Sequence, residues 1–152
     1  MLALRRELFG EKHPNTVRSM ADLAVIYHYQ GRYGEAEEIY VKVLALRREL
    51  LGEKYPDTVW NMAALAATYY DQGRYDEAEE LEVKVLALRR EVLGEKHPDT
   101  VRSMAELAAI YYSQGRYDET EEIDIKVLAL RCEVLGEKHP DTARNIHDLT
   151  IT

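Results

Sequence analysis

A 42-residue period runs through this chain. Glycine stands at 10, 52, 94 and 136 and again at 31, 73 and 115, and the four prolines, at 14, 56, 98 and 140, keep the same spacing. Of eight glycines only Gly34 is out of register. Residues 52–93 laid over 94–135 agree at 31 of 42 positions. Glycine and proline are the strongest local punctuators of a backbone, so segments punctuated alike fold alike. A period of this size builds stacked supersecondary units, each covering its neighbour's bare face, rather than one globular core. Such arrays work by surface, and the expectation is a binding scaffold.

The 152 residues hold about three and a half copies of the unit, close to the least that a repeat array needs for stability. Apolar residues make up 46% and charged residues 32%, enough for a continuous core under a solvated outside. A net charge of −8 argues against nucleic acid or an anionic membrane as partner, since either favours a basic face. There is no secretory h-region and no apolar run long enough to span a bilayer. Cys132 is the single cysteine, so no internal disulfide can form and a reducing, cytoplasmic setting is expected. It occupies the slot of Arg48 and Arg90 and reads as drift. Leu2-Ala3-Leu4-Arg5-Arg6 copies Leu44–Arg48, which places the start of the chain inside a unit. The expected organisation is a single array: 1–9 a partial second helix, 10–51, 52–93 and 94–135 three repeats, and 136–152 a partial repeat whose polar last helix acts as a cap.

Within a unit the pattern is that of two helices. Val59, Met62, Leu65, Ala66 and Tyr69 follow helical spacing on one side. Pro56 suits a first helical turn, where its missing N–H costs nothing, and Asp57 and Thr58 add polar character there. Gln72-Gly73 ends this helix A, glycine being the usual left-handed cap. Helix B starts near Tyr75, with Asp76, Glu77, Glu79 and Glu80 early and Arg89 and Arg90 late, the favourable order against the helix dipole. Leu81, Val85, Leu88 and Val92 are its expected apolar stripe, reinforced by Leu86, and Gly94 ends it. At about 18 residues it spans roughly 27 Å.

These residues resemble a known family. Leu65-Ala66-x-x-Tyr69, Gln72-Gly73-x-Tyr75 and Ala78 look like the tetratricopeptide repeat signature. Leu23-Ala24-x-x-Tyr27, Gln30-Gly31-x-Tyr33 and Ala36 repeat it, as do Leu107-Ala108-x-x-Tyr111 and Gln114-Gly115-x-Tyr117. The long helix B and the Leu-Gly-Glu-Lys-His/Tyr-Pro loop resemble the 42-residue subclass typified by kinesin light chain and by repeat arrays of NTPase sensor proteins. The resemblance implies an all-α fold, a right-handed α-solenoid of antiparallel helix pairs, with Ala66 and Ala78 at the closest helix approach. Thr120 departs from that alanine, a change expected to loosen its hairpin. The mid-helix-B aromatic is Tyr40 in the first unit but Glu82 and Asp124 in the others; those two carboxylates are expected to face solvent.

The repeats differ from one another most in helix A. Arg18, Trp60, Arg102 and Arg144 share one slot; His28, Tyr70 and Tyr112 another; Tyr29, Asp71 and Ser113 a third. The resemblance implies that helix A lines a concave groove, here carrying Arg18, Val25, His28, Tyr29, Trp60, Ala67, Tyr70, Asp71, Arg102, Ala109, Tyr112 and Arg144. Trp60 is expected to be at least partly exposed. Arginine and aromatic side chains together are the usual anchors of interfaces, so the expected partner is a peptide or protein segment, acidic and bearing an aromatic or apolar anchor. Kinesin light chain holds cargo backbone with paired asparagines on helix A. Here Ala21-Asp22, Ala63-Ala64 and Ala105-Glu106 stand in that place, and its cargo specificity does not transfer.

Catalytic chemistry is not indicated. His13, His97 and His139 recur because the loop recurs, and no zinc-type Cys/His spacing exists. There is neither a Gly-rich phosphate loop nor a nucleophile elbow. The carboxylates at 35–38, 77–80 and 119–122 match helix N-terminus electrostatics. The expectation is a non-enzyme without cofactor or metal. Two other readings stay open: a recognition segment of a larger signalling NTPase, and a consensus-like or engineered repeat that only assembles. Near-identical repeats with apolar ends also permit homo-oligomers.

Overall fold

The structure, a computed structural model, describes residues 13–134. Among the described residues there are six α-helices and no strand: α1 (Pro14–Tyr29), α2 (Tyr33–Leu51), α3 (Pro56–Asp71), α4 (Tyr75–Leu93), α5 (Pro98–Ser113) and α6 (Tyr117–Val134). The expected partial helices at either end lie outside the described residues. The chain forms two compact units that divide between Leu81 and Glu82, inside α4. In the first, α1 packs on α2 and α2 on α3; in the second, α5 packs on α6.

Local chemistry sets both ends of the shorter helices. Pro14, Pro56 and Pro98 occupy the first turn, and the residue before each is extended, as a following proline demands. The loop histidines have a task there. The Nδ1 atoms of His13 and His97 accept the Asn15 and Asp99 backbone N–H at 3.1 and 3.0 Å, and so cap α1 and α5. Tyr55, in the same slot, makes no side-chain cap. At the other end Gly73 takes φ +78°. That lets the Arg74 N–H reach Tyr69 O at 2.8 Å and the Gly73 N–H reach Tyr70 O at 2.9 Å, a paired closure of the last turn.

The residues after that glycine explain the repeated Gln-Gly-Arg-Tyr run. The Arg32, Arg74 and Arg116 guanidinium carbons lie 4.1, 4.3 and 4.1 Å from the ring centroids of Tyr27, Tyr69 and Tyr111. Each of these arginines also pairs with a glutamate three residues on, Glu35, Glu77 or Glu119. A stacked cation held by an acid ties the hairpin turn to the preceding helix.

The core follows the helical stripe. Val17, Met20, Ala21 and Val43 form the buried cluster of the first unit, and Leu86, Val101, Met104, Leu107 and Val127 that of the second. Ala66 and Ala78 are buried, where a larger side chain would crowd the helices. Thr120, in the alanine slot, is buried as well; its hydroxyl donates to Arg116 O at 2.9 Å and lies 3.4 Å from Ala108 O. Two expectations are corrected here. Val92, placed on the apolar stripe, is exposed, because α4 has 19 residues against 16 in α5 and its last turn falls outside the packed region. Glu82, expected in solvent, is only 3% exposed; Asp124 is half-buried. At Tyr40 and at Glu82 the mid-helix slot faces the next helix, α3 or α5.

Candidate functional site

The candidate residues of the first unit lie on α1 and α3. Arg18, Tyr29, Trp60, Ala67 and Asp71 are exposed, and Val25, His28 and Tyr70 are half-buried. In the second unit, Arg102, Ala109 and Tyr112 are exposed on α5. Arg144 lies outside the described residues.

Several of these side chains are engaged with one another. His28 Nε2 lies 2.9 Å from Asp71 Oδ2, and its Nδ1 lies 3.0 Å from Thr68 Oγ1. The Thr68 hydroxyl also reaches Ala64 O at 3.0 Å. The imidazole therefore joins α1 to α3, and its ring is flanked edge-on by Tyr29 and Tyr33. Trp60 is 44% exposed. It keeps one edge against the Tyr40 ring, with centroids 6.4 Å apart at 67°, a favourable aromatic geometry. Among the described residues Tyr29 is the most open aromatic, at 84%. Tyr70 and Tyr112 lean on the Tyr75 and Tyr117 rings at 5.3 and 5.4 Å.

Beneath this face runs a polar clasp that sequence reasoning missed. Arg47 Nη1 donates to Asn61 Oδ1 at 2.7 Å, and Asn61 Nδ2 donates to Tyr40 O at 3.3 Å. One period later, Arg89 Nη1 donates to Ser103 Oγ at 2.7 Å and to Asp99 O at 3.3 Å. Asn61 and Ser103 are fully buried. The signal was present: a polar residue at 61 and 103, next to Met62 and Met104, matched one period after another by Arg47 and Arg89. Burial lowers the proton affinity of the Arg47 guanidinium, while Asp57 and Asp22 oppose it and Arg18 adds to it. Burial, with the neighbouring Tyr29 phenol, pushes Tyr40 up to about 12.

The same slots are filled differently in the second unit. Glu82 replaces Tyr40 and Arg102 replaces Trp60. Burial above all, and then the Glu106 carboxylate, push the Glu82 carboxyl up to about 7, against partial relief from Arg89, Ser103 and Arg102. Glu82 Oε1 has no hydrogen-bond partner. Arg102 is exposed and its ion pair with Glu106 is loose, Nε to Oε1 3.9 Å. Among the described residues no group of three or more His, Cys, Asp or Glu side chains gathers as a metal site, and no helix is long and apolar enough to cross a membrane.

Helix pairs closed by a glycine turn, with variable arginine and aromatic residues on the first helix of each pair, define a repeat protein of the helical-hairpin class. Tetratricopeptide repeat family models match residues 2–49, 21–91 and 100–141. The chain belongs to the tetratricopeptide repeat family, and its repeats are similar to kinesin-light-chain-like ones. Nearly identical TPR-like repeats of a kinesin-light-chain-like protein from Podosopora anserina are 29% identical, over 97% of this chain and 70% of that one, with a TM-score of 0.85. BtubC (BKLC) from P. vanneervenii is 21% identical over 96% of this chain and 59% of its own length, TM-score 0.84. The Yersinia enterocolitica type III secretion translocator chaperone SycD is 18% identical over 100% of this chain and 98% of its own, TM-score 0.68. The last two show the fold alone. No curated protein matches the chain at a significant level.

Proposed function

We propose that the chain is a non-catalytic protein-interaction scaffold that takes a peptide or protein segment along its first-helix faces, the concave groove of the family. Family membership supports the scaffold. The observation that carries the peptide reading is the set of exposed Arg18, Tyr29, Trp60, Arg102 and Tyr112 side chains at slots that change between otherwise near-copied repeats. Arginine offers paired donors to carboxylates, and tyrosine and tryptophan offer flat, amphipathic contact at low entropic cost. The ligand that fits is an acidic segment with an aromatic or apolar anchor. In this reading Val25, Ala67, Tyr70, Ala109 and Arg144 complete the groove, and His28 and Asp71 shape it as a bonded pair. The repeats 10–51, 52–93 and 94–135 act as one array.

Selection from an unbiased peptide library against the full chain is the test. Enriched acidic peptides that lose tenfold or more in affinity on Arg102→Ala and on Tyr112→Ala, about 1.4 kcal/mol or more, support the groove. Enrichment of nothing, or of peptides indifferent to both substitutions, rejects it.

A further inference from the structure

Glu82 is 3% exposed on α4 and its Oε1 has no hydrogen-bond partner. A buried carboxyl with an unpaired oxygen is costly, and far more so when ionised. In the first unit the equivalent slot holds Tyr40, whose ring meets Trp60. The two slots therefore face each other, and in the second unit they hold an acid and a guanidinium. The charged groups acting on Glu82 are Glu106 and Arg102 from α5 and Arg89 from its own helix. Arg89 is already spent on Ser103 Oγ and Asp99 O. Arg102 is not: its side chain is 74% exposed and its contact with Glu106 stands at 3.9 Å.

We propose that this face of the second unit is a proton-gated carboxylate-binding site, with Arg102 as receptor and Glu82 as gate. While Glu82 is neutral, Glu106 alone balances the Arg102 guanidinium, which is open to an Asp or Glu side chain of a ligand. Once Glu82 ionises, the buried oxygen draws the guanidinium inward, and an incoming carboxylate meets two carboxylates around one cation. Glu82 is held near neutrality by its burial and by Glu106, so the gate works in the range cells use. The ligand is the acidic segment of the proposed function, and the inference rests on that reading. It adds that the acidic group sits at Arg102 and that its binding takes up a proton.

Two measurements on the full chain test it. Carboxyl carbon and arginine Nε resonances are followed from pH 5.5 to 8.5. The Glu82 and Arg102 signals move with one midpoint near 7, the value to which Glu82 is raised, and Glu82→Gln abolishes the Arg102 movement. An Arg102 signal indifferent to Glu82, or a Glu82 that titrates with ordinary glutamates, overturns the gate. The binding probe is a synthetic peptide of alternating glutamate and tryptophan. It binds roughly tenfold tighter at pH 6 than at pH 8.5, a coupling of ordinary size, and equally at both pH values in Glu82→Gln. Binding to the wild type that ignores pH overturns the gate and leaves the groove standing. No binding at any pH overturns the site together with the groove.

Discussion

The two units fill one architectural slot in opposite ways. In the first, Tyr40 lies buried on α2 with its ring against Trp60, and the clasp below it is Arg47 to Asn61. In the second, Glu82 lies buried on α4 opposite Arg102, and the clasp is Arg89 to Ser103. The backbone is the same in kind: a proline start, a glycine stop, and a methionine, Met62 or Met104, sealed in the centre. The difference teaches where the repeat tolerates change. The clasp and the methionine hold the helices in register, so the neighbouring slot can carry either an aromatic pair or a protonated acid. One arrangement stabilises through dispersion and is indifferent to pH; the other is tuned by protons and leaves an arginine open to solvent.

If the shared frame bears the load, then truncating it hurts both units alike. Met62→Ala and Met104→Ala are each expected to cost roughly 2–5 kcal/mol in urea unfolding, the range for buried methionine. A loss confined to one of them would mean that the units do not share a frame, and the comparison fails. The next effect separates the units. Glu82 is raised to about 7 from 4.5, so the folded form holds a proton that the unfolded chain has released. Its contribution is fully present below pH 4.5 and is lost as pH rises through 7. Glu82→Gln is therefore expected to gain about 3 kcal/mol on the wild type between pH 4 and pH 8.5. A gap that stays constant with pH shows that Glu82 titrates in the folded protein as it does in the unfolded chain. The smallest effect sharpens the first unit. Trp60→Arg imports the second unit's residue opposite Tyr40 and removes an aromatic contact worth about 1 kcal/mol. A variant as stable as the wild type would show that the Tyr40–Trp60 pair contributes nothing beyond surface coverage.

Much of this is legible in the sequence. The helix ends and the apolar stripe that carries Met62 follow from spacing and from the punctuating residues, and the alanines at the tight approach follow from the family resemblance. Glu82 was misjudged because an acid in an amphipathic helix is normally solvated, and the helix itself gives no hint of what presses on it. The His28–Asp71 contact was invisible for a related reason. Both residues were singled out as unlike their counterparts Tyr70 and Ser113, but as separate members of a groove. That they bond to each other, with Thr68 where the next repeat has Ile110, depends on how far α1 stands from α3. The imidazole caps of α1 and α5 were likewise hidden, since histidine is not among the preferred capping residues.

What the amino-acid order determined alone is the hairpin: where each helix begins, where it stops, and which stripe turns inward. Those are matters of backbone dihedrals and of a 3.6-residue period, settled within a few neighbours along the chain. What tertiary structure decided is the fate of the polar side chains. Whether Glu82 is wet or dry, whether Asn61 is paired, and whether His28 faces a carboxylate depend on a second helix tens of residues away, and that distance carries no local period to read.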